Sequence, residues 1–140
     1  MSSTPLSIRF DPELLDRLRR GAASRDTTPS GLAQRLIDEG LRAQEFSGIV
    51  FRDGPSGRRA GLAAGPDVWE VAAALRDSKL RGDASIEAIA VDLSLPVTAV
   101  HTAMSYYGAF AGEIDAEIAE NERLAEEAQR SWESQQRLLA

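Results

Sequence analysis

Few side chains in this sequence are equipped for covalent chemistry. His101 is the single histidine, and there is no cysteine among the 140 residues. Thiolate nucleophiles, disulfides and thiolate metal sites are therefore excluded, and no carboxylate or histidine cluster has recognisable metal-ligand spacing. Asp53-Gly54-Pro55-Ser56-Gly57 lacks the lysine and following helix of a phosphate-binding loop and reads as a turn. An enzyme is not expected, nor a cofactor or a bound metal. What remains is the chemistry of recognition. Ser7 and Arg9 alternate with apolar residues in Leu6-Ser7-Ile8-Arg9-Phe10, and Trp132 stands in an otherwise charged stretch. A large aromatic in that setting either packs on its own body or anchors a partner.

The elements that must position these residues follow from periodicity and punctuation. Leu6 to Phe10 has the period-two pattern of a strand with one buried face. A lone short strand cannot satisfy its own backbone, and no second strand follows before a long helical stretch. Pairing with the same strand of a second chain, in a symmetric dimer, is the economical solution. Asp11-Pro12-Glu13 caps a helix expected to run to about Ser24, with Leu14, Leu15, Leu18 and Ala22 on its inner face. Thr28-Pro29-Ser30 repeats the signal for a helix to about Ala43, with Leu32, Leu36, Ile37 and Leu41 as its stripe.

Glu45 to Gly65 is rich in glycine and predicts a hairpin or an irregular loop. Three helices are expected next: one capped by Asp67 and running to about Asp77, one from Ser85 to about Leu93, and one from Pro96 to about Tyr107. The last two, with a short turn between them, have the pattern of a helix-turn-helix. Thr98, His101, Thr102 and Ser105 could face DNA from the third helix. With only Arg76, Lys79 and Arg81 near for phosphate, a packing module is the more economical reading. Trp69, Tyr106 and Tyr107 read as core or interface aromatics. From Gly112 onward one long helix of about 40 Å is expected. Ile114, Ile118, Ala125, Ala128, Trp132 and Leu139 fall on a narrow stripe, with Leu124 and Leu138 beside it.

Three segments result: 1–44, 45–110 and 111–140. The formal net charge of −6 is unevenly spread over them. Lys and Arg against Asp and Glu number 7 to 6 over residues 1–44, 6 to 8 over 45–110 and 3 to 8 over 111–140. An acidic tail behind a slightly basic head suits a head that meets phosphate and a tail that meets something basic, although such a tail also serves as a plain solvated helix face. No apolar run approaches the length of a bilayer span, and Met1-Ser2-Ser3-Thr4-Pro5 lacks a basic start followed by an apolar stretch. A cytoplasmic protein without membrane partners is the expectation.

Thr4 to Ala43 resembles the ribbon-helix-helix superfamily of Arc, MetJ and CopG type repressors and their antitoxin relatives. The resemblance implies a dimer whose two strands pair antiparallel and enter the major groove. Leu6, Ile8 and Phe10 would then face inward, and Ser7 and Arg9 would point to bases, where arginine can donate two parallel hydrogen bonds to guanine. Pro5 departs from the polar reader many members carry, and Thr4 is the substitute. Thr28, Ser30 and Gly31 match the family's phosphate clamp at a helix N-terminus.

Residues from about Gly48 to Tyr107 are similar to a helix-turn-helix-like domain of bacterial antitoxins often paired with PIN-type ribonuclease toxins. The similarity sits in Gly48-Ile49-Val50, Gly57-Arg58-Arg59-Ala60, Asp67-Val68-Trp69 and the Ala99-Val100 to Tyr106-Tyr107 helix. Together the two resemblances imply a mainly α protein: a ribbon-helix-helix dimer, a small helix-turn-helix-like domain and a long C-terminal helix. They imply an antitoxin that represses its own operon and neutralises a PIN-like ribonuclease toxin. Leu124, Ala128, Trp132 and Leu138 would enter a groove on the toxin while Glu120, Glu122, Glu126, Glu127 and Glu133 face its basic residues. A stand-alone repressor without a toxin and a protein-interaction scaffold are the alternatives, the first keeping the operator DNA and the homodimer or higher oligomer.

Overall fold

A computed structural model describes residues 3–140; Met1 and Ser2, part of the start considered above, lie outside the described residues. The described chain holds six helices and one two-stranded antiparallel sheet, and it divides into a first unit ending at Leu41 and a second from Arg42 to Ala140. No single helix among the described residues is long and apolar enough to cross a membrane.

In the first unit lie α1, Pro12–Ala23, and all but the last four residues of α2, Pro29–Glu45, each helix with proline at its first position. Proline is favoured there because its fixed φ suits the helix and its missing N–H would go unused. Asp26, at φ +49°, ends α1. The Thr27 N–H reaches the Ala22 carbonyl at 3.1 Å and the Asp26 N–H reaches that of Ala23 at 3.4 Å. This paired pattern around a left-handed residue closes a helix by satisfying carbonyls that have no partner further along the chain. Gly21 brings α1 against α2, since a Cβ there would meet the Leu32 side chain at 3.2 Å.

The expected strand Leu6–Phe10 does not form in the single chain, where residues 3–11 are neither helix nor strand. The described strands pair with each other and not with this segment. The expected inner faces are likewise uncovered. Ala22 and Leu32 are the buried apolar residues of this unit, while Leu14, Leu36, Ile37 and Leu41 are about half exposed.

The second unit carries its own core. β1 (Ile49–Gly54) and β2 (Gly57–Leu62) form the hairpin, with Ile49 opposite Leu62 and Phe51 opposite Ala60. Three helices follow: α3 (Val68–Asp77), α4 (Asp83–Asp92) and α5 (Val97–Ala109). The axes of α4 and α5 bend by 112° across their short break, within the range of helix-turn-helix pairs. Ser94, at φ +55°, makes that turn: its N–H reaches the Val91 carbonyl at 3.2 Å, and the Leu95 N–H reaches that of Ala90 at 2.8 Å. A non-glycine residue in this conformation costs roughly 1–2 kcal/mol.

Helix α6 runs unbroken over Ala111–Leu139, 29 residues or about 44 Å. Its first two turns belong to the core. Ile114 and Ile118 pack with Val68, Val71, Ala72, Val100, Ala103 and Tyr106, so the segment read from sequence as a separate tail is anchored in the body. Each large apolar side chain so covered contributes roughly 1.5–3 kcal/mol. Tyr106 is fully buried, ringed by Phe46, Phe51 and Phe110. Its hydroxyl accepts from Arg42 at 2.7 Å and donates to Glu113 at 3.1 Å. Burial outweighs the pull of Arg42 and pushes this phenol up to about 12.

Candidate nucleic-acid and partner interfaces

Thr4, Ser7 and Arg9 are all exposed in the single chain, and so are Leu6 and Ile8, at 81% and 52%. The residues expected to read bases and the apolar ones expected to be covered thus lie open together. The geometry at the start of α2 is sharper. The Thr28 hydroxyl accepts the Gly31 N–H at 3.0 Å, so the clamp expected at Thr28, Ser30 and Gly31 is already capped from within the chain at Gly31. Pro29 has no N–H to offer. Ser30 keeps an exposed hydroxyl and a backbone N–H that no described group takes up. Glycine at position 31 leaves room for both side chains, since a Cβ would stand 3.1 Å from the Thr27 and Thr28 hydroxyls. A phosphate arriving here would meet three hydroxyls and the positive end of a 17-residue helix.

On α6, Trp132 is 56% exposed and Leu138 85%; Ala128 is exposed and Leu124 half-buried. At about 100° per residue, Ala128 and Leu124 lie on the Trp132 side of the helix, whereas Leu138 falls about 120° round it. Glu126, Glu127 and Glu133 point about 100–140° away from Trp132. Those carboxylates therefore flank the Trp132 face and do not share it. Arg123 instead binds Glu120 at 2.7 Å and Glu127 at 2.9 Å within the helix. The acidity of the tail is partly answered by its own arginines.

A third cluster has no counterpart in the sequence reading. Arg52 and Arg59 are direct cross-strand partners in the hairpin, and like charges so placed repel. Asp67, just before α3, resolves the conflict. Its carboxylate accepts from Arg52 Nε at 2.8 Å, from Arg59 Nη1 at 3.3 Å and from Trp69 Nε1 at 3.3 Å. The Asp67 N–H in turn donates to Glu70 at 2.8 Å, closing the start of α3. Ser56 accepts from Arg59. Gly61 and Gly54 leave bare backbone where the two guanidinium groups lie, at 2.2 Å and 2.5 Å from where a Cβ would stand. Glycine facing arginine on adjacent strands, with an Asp just past the hairpin, was the available signal.

Glu117 of α6 faces this cluster. Its Oε2 is buried without a hydrogen-bond partner. Burial first, then the Glu113 and Asp67 carboxylates, raise its pKa to about 7 against the pull of Arg59. No family model, curated protein or solved structure matches the chain.

The raised pKa of Glu117 has a stability consequence. The folded chain holds this proton more tightly than the unfolded one, so the contribution is complete below pH 4.5 and is lost as pH rises through about 7. Glu117→Gln removes the titration. Between pH 5 and 8 the melting temperature of the wild type is expected to fall relative to that of the variant, and parallel curves would refute the assignment.

Proposed function

We propose that this chain is a dimeric DNA-binding regulator whose first unit is completed by a second copy, and that it acts as the antitoxin of a toxin–antitoxin pair. The carrying observation is the open apolar face of the first unit. Leu6, Ile8, Leu14, Leu36, Ile37 and Leu41 are between 46% and 81% exposed, against Ala22 and Leu32 buried. Units this small rarely stand alone. Covering half-exposed side chains of this kind contributes on the order of 1 kcal/mol each, enough in sum to drive association. An antiparallel pairing of two Leu6–Phe10 segments would turn Leu6, Ile8 and Phe10 toward the helices and leave Ser7 and Arg9 outside, in the ribbon-helix-helix manner. Thr4 extends the ribbon, and Ser30 with Thr28 supplies a phosphate contact. The reading places the protein in the cytoplasm.

The antitoxin half rests on the exposed distal part of α6, whose Leu124, Ala128 and Trp132 offer an apolar anchor to a toxin, a PIN-like ribonuclease in this reading. The stand-alone repressor has one observation in its favour: Glu126, Glu127 and Glu133, three of the five glutamates expected to meet a basic nuclease site, lie away from the Trp132 face.

A gel shift with DNA from upstream of the gene, at stated salt, tests the first half. Arg9→Ala is expected to weaken binding about tenfold or more, the scale of one lost bidentate base contact. Equal binding by variant and wild type would remove the ribbon readout. For the second half, the protein is co-expressed with the product of the adjacent gene. Trp132→Glu should abolish copurification, and retention of the partner would exclude α6 as the anchor.

A further inference from the structure

Past the body, α6 is two-faced in an unusual way. Setting Trp132 at zero and counting about 100° per residue, the six charged residues after Glu122 fall in one arc of about 120°: Arg123, Glu126, Glu127, Arg130, Glu133 and Arg137. The opposite arc of about 180°, from Leu138 through Trp132 to Gln129, carries no charge. Ala125, Ala128, Trp132, Gln135 and Leu139 line its centre. The same stripe begins with Ile114 and Ile118, 0% and 2% exposed in the core. The seam is thus a continuation of a packed face, uncovered once the helix passes the edge of the body. Trp132 lies 14 residues, about 21 Å, beyond Ile118 along a continuous helix, so it cannot fold back while the helix is intact.

We propose that a second copy of this chain covers the seam, the two α6 helices pairing antiparallel so that each Trp132 lies over Ala128 of the other. Charge and shape both favour this occupant. Two chains of net charge −6 repel through any acidic face, but this face brings no carboxylate after Glu122 into the contact. Size changes along the seam, small at Ala125 and Ala128 and larger at Trp132, Gln135 and Leu139. A parallel pair would stack tryptophan on tryptophan and leave voids at the alanine layers, whereas an antiparallel pair sets large on small and fills them. In the register with Trp132 over Ala128, Gln135 lies over Ala125. Leu139, the last helical residue, falls opposite Asn121, so the paired stretch covers the helix that extends past the docked turn of Ile118. If the partner-capture reading above holds, on which only this consequence rests, a toxin must displace the second copy from Trp132 before it can bind.

The absence of cysteine makes the test direct on the full chain, without DNA or a partner protein. Asn121→Cys and Leu139→Cys chains carrying different tags are co-expressed and mildly oxidised. The antiparallel register predicts a disulfide between the two variants and none when either is expressed alone. It also predicts loss of that link when Trp132→Glu is added to both. Self-linking of each single variant would overturn the proposal in favour of parallel pairing. No linking at all would overturn it and assign the seam to a different protein. A second readout guards against a perturbed cysteine chain. In a Trp69→Phe background, Trp132 emission should shift to longer wavelength on dilution, and emission independent of concentration would count against the pair. Neither readout involves Arg9 or DNA, so failure here leaves the gel-shift result standing or falling by itself.

Discussion

The constraint on which the rest depends is the shortage of buried apolar area in the first unit. Two amphipathic helices joined by a tight turn make one contact, built on Ala22 and Leu32, and leave Leu14, Leu36, Ile37 and Leu41 facing outward. Their outer sides are already polar: Arg17, Arg19 and Arg20 on α1, Gln34 and Asp38 on α2, all exposed. Nothing within this unit covers the apolar side. A strand-patterned segment without a strand partner belongs to the same shortage, because its unpaired backbone and its Leu6 and Ile8 side chains need a covering surface of matched pattern. In the proposed dimer a second copy would provide both at once, with the symmetry that two like edges require.

The second unit is organised on the opposite principle. It brings apolar side chains from the hairpin and four helices into one cluster, and it spends its polar residues on fixing geometry. Asp67 is the centre of this. One carboxylate holds two arginines that would otherwise repel across the strands and receives the Trp69 indole, so the hairpin and the start of α3 are tied at a single point. Buried charges of this kind are costly to separate, since removing one partner leaves the other unpaired in a poor solvent for ions. Glu117 sits beside this knot with an unsatisfied oxygen, which makes the docking of α6 sensitive to its protonation.

Much of this was legible in the sequence. Asp11-Pro12 and Thr28-Pro29 marked helix starts that the structure keeps, and the glycine cluster at 53–57 marked the hairpin. The turn between α4 and α5 was legible from its apolar flanks, although Ser94 in a left-handed conformation was not, because serine carries no such signal. Three things escaped for a common physical reason, that they depend on partners distant in sequence. The Arg52–Asp67–Arg59 knot required knowing the hairpin register. The docking of Ile114 and Ile118 required knowing which helix stripe meets the body. The capping of Gly31 by Thr28 required the turn geometry that places a hydroxyl over the helix end. Helical periodicity, by contrast, was sufficient to predict the Trp132 stripe, and following it round the helix separates that stripe from Glu126, Glu127 and Glu133.

The central claim is that residues 6–10 acquire a partner strand only when a second copy is present. Amide hydrogen exchange of the full chain, read residue by residue from Leu6 to Phe10 across a range of protein concentrations, measures it directly. The account predicts protection in this segment that grows with concentration while the amides of α3 and α5 stay protected throughout. Fast exchange in Leu6–Phe10 at every concentration, with the second unit folded, would contradict it.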